Sequence, residues 1–222
     1  MKIHINLLAF RNAPETIFDQ AVSRIEKLIP AGTYQITGSD PDVLFFLSGG
    51  SEQVALEHVA AGRFCLLIGS QHGNAYASAT EVKACLNSQK IPSLLLDEED
   101  AGTAAILRDL YTVKQALHNL SGKRLGLIGR VSEWLIASAI PAELLEAKFG
   151  IRLVVIPWHD LPHYSGCRPS DAFQKHFPAV NHPGLSDTAK VSTLLEEAIR
   201  KWNLDALTVE CFPMVQKDGV TA

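Results

Sequence analysis

The chain has 222 residues, 47% hydrophobic and 20% charged, which is enough for one large or two small domains with apolar cores of their own and unlike the composition of disordered or fibrous chains. Its formal net charge is −4, with 20 Lys and Arg scattered among 24 Asp and Glu, so no basic face is offered to a phosphate backbone and no nucleic-acid partner is expected. No apolar run approaches the ~18 residues of a membrane span, and the four cysteines, Cys65, Cys85, Cys167 and Cys211, are too scattered for a disulfide framework.

The first ten residues pass straight into Arg11, Asn12 and Pro14 without a small-residue cleavage site, so they read as a first strand and not as a leader. A cytoplasmic protein without membrane contact is the expectation. In chain order, the hydrophobic pattern predicts a strand over 3–10, a helix over 15–28, strands over 34–37 and 43–47, a helix over 52–61, a strand over 64–68, a helix over 75–88, a strand over 93–96 and a long helix over 103–120. After Ser121-Gly122, a helix stop, a strand over 124–128 opens a second series. It continues with a helix over 133–148 that contains Pro141, a strand over 151–157, a helix over 188–202 and a last strand over 206–212. In the helix over 188–202, Val191, Leu194, Leu195, Ala198 and Ile199 recur at three- and four-residue spacing and make one apolar stripe.

Strands that alternate with helices and are continuous apolar runs, such as Phe64-Cys-Leu-Leu-Ile68, belong to parallel sheets covered on both faces. The fold class is therefore α/β, with two doubly wound parallel-sheet domains of flavodoxin or Rossmann type and about four strands each, over 1–120 and 121–213. Residues 159–187, with Pro162, Pro169, Pro178 and Pro183, are poorly patterned, as a lid or partner surface would be. Residues 216–219 read as a polar turn, and 214–222 as the start of a further carboxy-terminal domain of a longer protein.

In open α/β sheets ligands bind beyond the carboxyl ends of the strands, so the strand-to-helix loops carry the candidate sites. In Leu47-Ser-Gly-Gly-Ser-Glu52 the two glycines could expose amides as an anion or polar-ligand nest, or the loop could be plain turn chemistry with Ser51 as helix cap. Gln71, His72 and Asn74 form the densest polar cluster of the first half, able to hold a polyhydroxylated ligand, and Glu81 lies two turns further on, either solvated or an interface partner. Gly129-Arg-Val-Ser-Glu-Trp134 lacks the G-x-G-x-x-G of a dinucleotide site, so Ser132 reads as a helix cap and Trp134 as a packing residue. His159, His163 and Cys167 have a spacing that would gather them round a metal on a helix, but Pro162 and Gly166 argue for a loop. No G-x-S-x-G elbow is present. Glu210, in an otherwise apolar last strand, needs a partner if it is buried and none if it sits at an edge facing water.

Taken in order, Phe46-Leu-Ser-Gly-Gly-Ser-Glu52, Gly73-Asn-Ala-Tyr-Ala-Ser-Ala-Thr-Glu81, Arg124-Leu-Gly-Leu-Ile-Gly-Arg-Val-Ser-Glu-Trp-Leu135 and Asp205-Ala-Leu-Thr-Val-Glu-Cys-Phe-Pro213 resemble the amino-terminal part of L-fucose isomerase-like and L-arabinose isomerase-like proteins. The resemblance runs over essentially the whole chain. It implies two α/β domains followed by a third, and an aldose–ketose isomerase that moves a proton through an enediol at a divalent metal, typically Mn²⁺. Most of the metal ligands would lie outside these residues; Glu210 is the position that matches as metal ligand or acid/base. The resemblance further implies a homo-oligomer in which Gln71, His72 and Asn74 face the sugar or a neighbouring subunit, with Arg11 at a sugar hydroxyl. On this view the chain alone folds without catalysing. A stand-alone two-lobed module that binds a sugar or small metabolite is the alternative from another class.

Overall fold

In the computed structural model, residues 1–59, 63–177 and 184–220 are described. The chain divides into two units, Met1–His118 and Asn119–Ala222. In the first, β1 (Ile3–Leu8), β2 (Tyr34–Ile36), β3 (Val43–Phe46), β4 (Cys65–Gly69) and β5 (Ser93–Asp97) form a parallel sheet in the order β2-β1-β3-β4-β5. The helices between them are α1 (Thr16–Asp19), α2 (Ala21–Leu28), α3 (Glu52–Leu56), α4 (Ala75–Ser88) and α5 (Thr103–Leu120).

Because side chains alternate along a strand, each strand feeds two cores. Ile3, Ile5, Val43, Phe45, Leu66 and Ile68 pack with Ala21, Ile25 and Leu107 on one face. Leu8, Leu44, Phe46, Cys65 and Leu67 pack with Ala75, Ala79, Val82 and Leu86 on the other. All of β3 and β4 is buried, as the apolar runs predict. At the amino edge of the sheet, Asp42 accepts a hydrogen bond from the His4 N–H at 2.7 Å and is paired with Arg63 and with Lys114 of α5. The Lys114 and Asp42 side chains are only 10% and 11% exposed, so each charge depends on the other for solvation.

The second unit carries a three-stranded parallel sheet in the order β7-β6-β8, with β6 (Arg124–Ile128), β7 (Arg152–Ile156) and β8 (Ala206–Val209). Its helices are α6 (Ala142–Phe149), α7 (Asp171–His176), α8 (Leu185–Lys201) and α9 (Phe212–Asp218). Ile128, Ile156, Ala198 and Leu204 form one core cluster, and Tyr164, Val191, Leu194 and Met214 another. The doubly wound α/β class is as expected, with five and three strands in place of about four each.

Several local expectations are corrected. The helix expected over 15–28 is two helices that meet at Gln20. The helix expected over 52–61 ends at Leu56, and residues 60–61 lie outside the described part. The helix expected over 133–148 begins only at Ala142: Pro141 is held at φ −58°, ψ 139°, and a proline disfavours helical backbone in the residue before it. Residues 131–140 therefore form turns, Ser132 caps no helix, and Trp134 is 62% exposed, its ring edge-on to Phe212 at 5.2 Å.

The last strand stops at Val209, and the polar turn expected over 216–219 is the end of α9. Pro213 sits in the first turn of α9, where a missing N–H is harmless, and Met214 is buried against Tyr164, Val191 and Leu194. The stretch over 159–187 is built of short turns, Trp158–Asp160 and Tyr164–Gly166, then α7, whose first turn is capped by the Ser170 hydroxyl accepting from the Phe173 N–H. Pro178 and Pro183 of that stretch lie outside the described residues. Among the described residues no helix is long and apolar enough to cross a membrane.

Asp42→Ala strands the buried Lys114 ammonium and lowers stability by about 3–5 kcal/mol in chemical denaturation. Burial pushes the Cys65 thiol up to about 11. The neutral thiol therefore favours the fold at every pH below the ordinary cysteine value, and that contribution fades as pH rises through the folded one. Thiol-specific labelling of the native chain near neutral pH leaves Cys65 unmodified until the unit unfolds.

Candidate functional site

The strand order β2-β1-β3-β4-β5 reverses direction between β1 and β3, and the carboxyl ends of those two strands are where an open α/β sheet leaves a crevice. A cleft of about 810 Å³ lies there, lined by Phe10, Ile17, Leu47, Ser48, Gly49, Gly50, Glu52, Gly73, Asn74, Ala77, Ser78 and Glu81. Phe10 follows β1, Ser48 to Glu52 run from β3 into α3, and Asn74 to Glu81 form the first turns of α4. The two loops touch directly: the Gly49 N–H donates to the Gly73 carbonyl at 2.7 Å, and a Cβ on Gly49 would lie 2.8 Å from that of Asn74. Only glycine permits this approach.

Ser51 does not cap α3 through its side chain. Its hydroxyl donates to the Ser48 carbonyl at 2.9 Å and lies 3.0 Å from the Ser78 hydroxyl, tying the β3–α3 loop to α4 in the interior. Glu52 completes the loop. Its carboxyl is held below the usual carboxylate range, first by the N–H of its own residue and then, against the opposing effect of burial, by the Ser78 hydroxyl and the Gly50 N–H. The chain's own carboxylate thus stands beside the amides that the sequence offered as an anion nest. With Glu81 also on the wall, the cleft carries two carboxylates beside the Ser48, Asn74 and Ser78 side chains.

The predicted cluster Gln71, His72 and Asn74 is split. Asn74, in the left-handed conformation at φ 57°, lines the cleft. Gln71 donates to the Asp97 carboxylate at 2.5 Å, which with the Glu99 N–H holds Asp97 below its ordinary range. His72 faces Glu99 at 3.2 Å and is 86% exposed. Arg11 pairs with Glu57 at 2.6 Å on the surface and is not part of the cleft wall. Sequence reasoning missed Phe10 and Ser78. Asn74, Ser78 and Glu81 stand at i, i+4 and i+7, one polar face of α4, and that spacing was the available signal for Ser78.

In the second unit the strand order reverses between β6 and β8, and Glu210 lies at that point. Its side chain is 12% exposed and has a partner: one carboxylate oxygen accepts from the Arg130 N–H at 3.1 Å, and the other lies 3.5 Å from the Arg130 guanidinium. Glu210 follows β8, an edge strand of the three-stranded sheet, but its side chain is turned away from water. Gly129, at φ 83°, makes room for it, since a Cβ there would meet Glu210 Oε2 at 2.5 Å and the buried, unpaired Trp158 Nε1 at 2.8 Å. An arginine and a backbone N–H hold a carboxylate but supply no further metal ligand, so the surroundings of Glu210 do not fit a Mn²⁺ site. Among the described residues no group of three or more His, Cys, Asp and Glu could hold a metal ion. His159 and His163 sit in separate turns and face Asp160 and Asp218 respectively.

The fold and its crevices define a doubly wound α/β protein with a polar, carboxylate-bearing cleft at the strand-order reversal of its first unit. No model of a known protein family matches the chain, and no curated protein matches its sequence.

Gly129→Ala forces a strained left-handed alanine against Glu210 and lowers stability by about 2 kcal/mol or more, whereas Glu210→Gln, which keeps an acceptor for the Arg130 N–H, costs within about 1 kcal/mol; denaturant titration of both variants checks the order. The depressed Glu52 carboxyl stabilises the fold above the ordinary Glu value, and this is lost as pH falls through the folded value. Glu52→Gln therefore removes part of the acid-side loss of stability, read from denaturation midpoints across that range.

Proposed function

We propose that this chain is the sugar-holding amino-terminal part of an aldose–ketose isomerase, and that its own contribution is to bind an unphosphorylated, polyhydroxylated substrate in the cleft at the β1/β3 reversal. The observation that carries the reading is the convergence of Ser48, Glu52, Asn74, Ser78 and Glu81 around a wall that includes Phe10 and Leu47. Carboxylates and amides pair with vicinal hydroxyls, and an aromatic ring covers the apolar face of a sugar. The four segments that resemble fucose and arabinose isomerases supply the reaction class, and two of them, 46–52 and 73–81, form this cleft.

No proton-transfer step is assigned to residues of this chain. The metal that the resemblance implies would supply polarisation of the carbonyl and hydroxyl oxygens, and Glu210, engaged with Arg130, is not proposed to hold it. Arg11, Gln71 and His72 are likewise left outside the substrate cleft.

Calorimetric titration of the chain with neutral pentoses and deoxyhexoses tests the reading. Saturable binding of at least one is expected, weakened roughly tenfold or more by Asn74→Ala or Glu81→Gln through loss of a hydrogen bond to a charged or buried partner, and unchanged by Gln71→Ala and His72→Ala. The phosphorylated counterparts bind more weakly because two carboxylates face them. Silence with every sugar overturns the proposal, and brisk turnover of an aldose by this chain with Mn²⁺ overturns the assignment of the chemistry to residues elsewhere.

A further inference from the structure

The second unit holds a cavity that the sugar cleft does not explain. It has a volume of about 340 Å³, within the lower part of the range for small-ligand pockets. It lies at the carboxyl edge of the three-stranded sheet, between the turn that follows β7 and the helix that follows β8. Much of its wall is apolar and part of the core: Tyr164, Leu194 and Met214 are buried core residues, and Trp158 and Leu161 pack against the same cluster.

The charged groups at its mouth are unequal. Asp218 is engaged: its carboxylate accepts from His163 Nε2 at 3.2 Å, while His163 Nδ1 accepts from the Ser165 hydroxyl at 2.8 Å and from the Ser165 N–H. Those contacts define the imidazole as the Nε2–H tautomer and direct the Asp218 charge onto it. His159 is turned to Asp160. Lys217 also lines the cavity, and among the described residues no ion pair engages its ammonium. The arrangement is an apolar, aromatic chamber with one uncommitted cation at the rim.

We propose that this cavity is a second ligand site, which takes a small amphipathic carboxylate, its ring or branched apolar body seated against Trp158, Leu161, Tyr164 and Leu194 and its carboxylate on Lys217. Burial of the apolar body drives binding, and the charge-assisted hydrogen bond at the rim selects the acid over neutral analogues. The site is independent of the sugar cleft, whose own carboxylates disfavour such a ligand.

Phenylacetate and its uncharged isostere phenylacetamide are the probes, titrated calorimetrically into the whole chain. Phenylacetate saturates one site and binds roughly fivefold or more tightly than the amide. Lys217→Gln, a change at an exposed position that leaves the fold intact, removes that difference while weak binding of both probes remains. Leu161→Trp fills the chamber and abolishes both, and Glu81→Gln in the first unit changes neither. Absence of saturable phenylacetate binding, equal affinity for acid and amide, or a preference that survives Lys217→Gln overturns the proposal. Each of these readouts is separate from sugar binding, so either assignment can fail without the other.

Discussion

Among the described residues every strand pair is parallel, and the placing of the crevices follows from that constraint. Parallel neighbours cannot be joined by a tight hairpin, so the chain crosses back over a face of the sheet after each strand, usually as a helix. Each crossing starts at the same edge, and the loops with their exposed amides and polar side chains gather there. Where successive crossings turn to opposite sides, between β1 and β3 and again between β6 and β8, neighbouring loops part and leave a crevice. The cleft of the first unit and the Gly129–Glu210 contact occupy these two reversals.

The two reversals are furnished differently. In the first unit the loops are drawn together by Gly49 and by the Ser51–Ser78 contact, and the space that remains is lined by Ser48, Asn74, Glu52 and Glu81. Glu52 sets a carboxylate beside the amides of that loop, a charge that disfavours an anion there. In the second unit Glu210 itself fills the reversal, its carboxylate on Arg130 and its side chain folded over Gly129. The open space there has moved to the neighbouring loop, where Trp158, Tyr164 and Met214 form an apolar chamber. One unit thus offers carboxylates and the other an aromatic wall and a lysine, and two such environments favour ligands of different chemistry.

Charge burial in the first unit is met by dedicated partners. Asp42 gathers a backbone N–H, an arginine and a lysine at the amino edge of the first sheet, away from the cleft. Arg24 grips Glu98 with two hydrogen bonds while its guanidinium lies 5.3 Å from the centre of the Phe45 ring. Each of these charges sits among partners that meet its hydrogen-bonding needs, so these groups support the sheet.

The amino-acid sequence by itself determined the class of fold. Continuous apolar runs such as Cys65-Leu-Leu-Ile68 have no polar face, so they had to be strands covered on both sides, and the stripe of Val191, Leu194 and Ala198 had to be one side of a helix. It also marked the loops that line the cleft of the first unit, because glycine and asparagine punctuate them. Element ends were less legible. Pro141 was read inside a helix and Pro213 just past a strand, yet one begins a helix and the other stabilises the first turn of another, a distinction set by how the neighbouring chain packs. Which residues of a loop face the cleft was decided only by the tertiary structure. Asn74 and Gln71 are three positions apart, and one reaches the cleft while the other reaches Asp97, because Asp97 is brought alongside by the pairing of β4 with β5. Glu210 found Arg130 in the same way, across eighty residues of chain. Pairings of that separation are created by sheet order, and hydrophobic periodicity, a local property, carries no record of them.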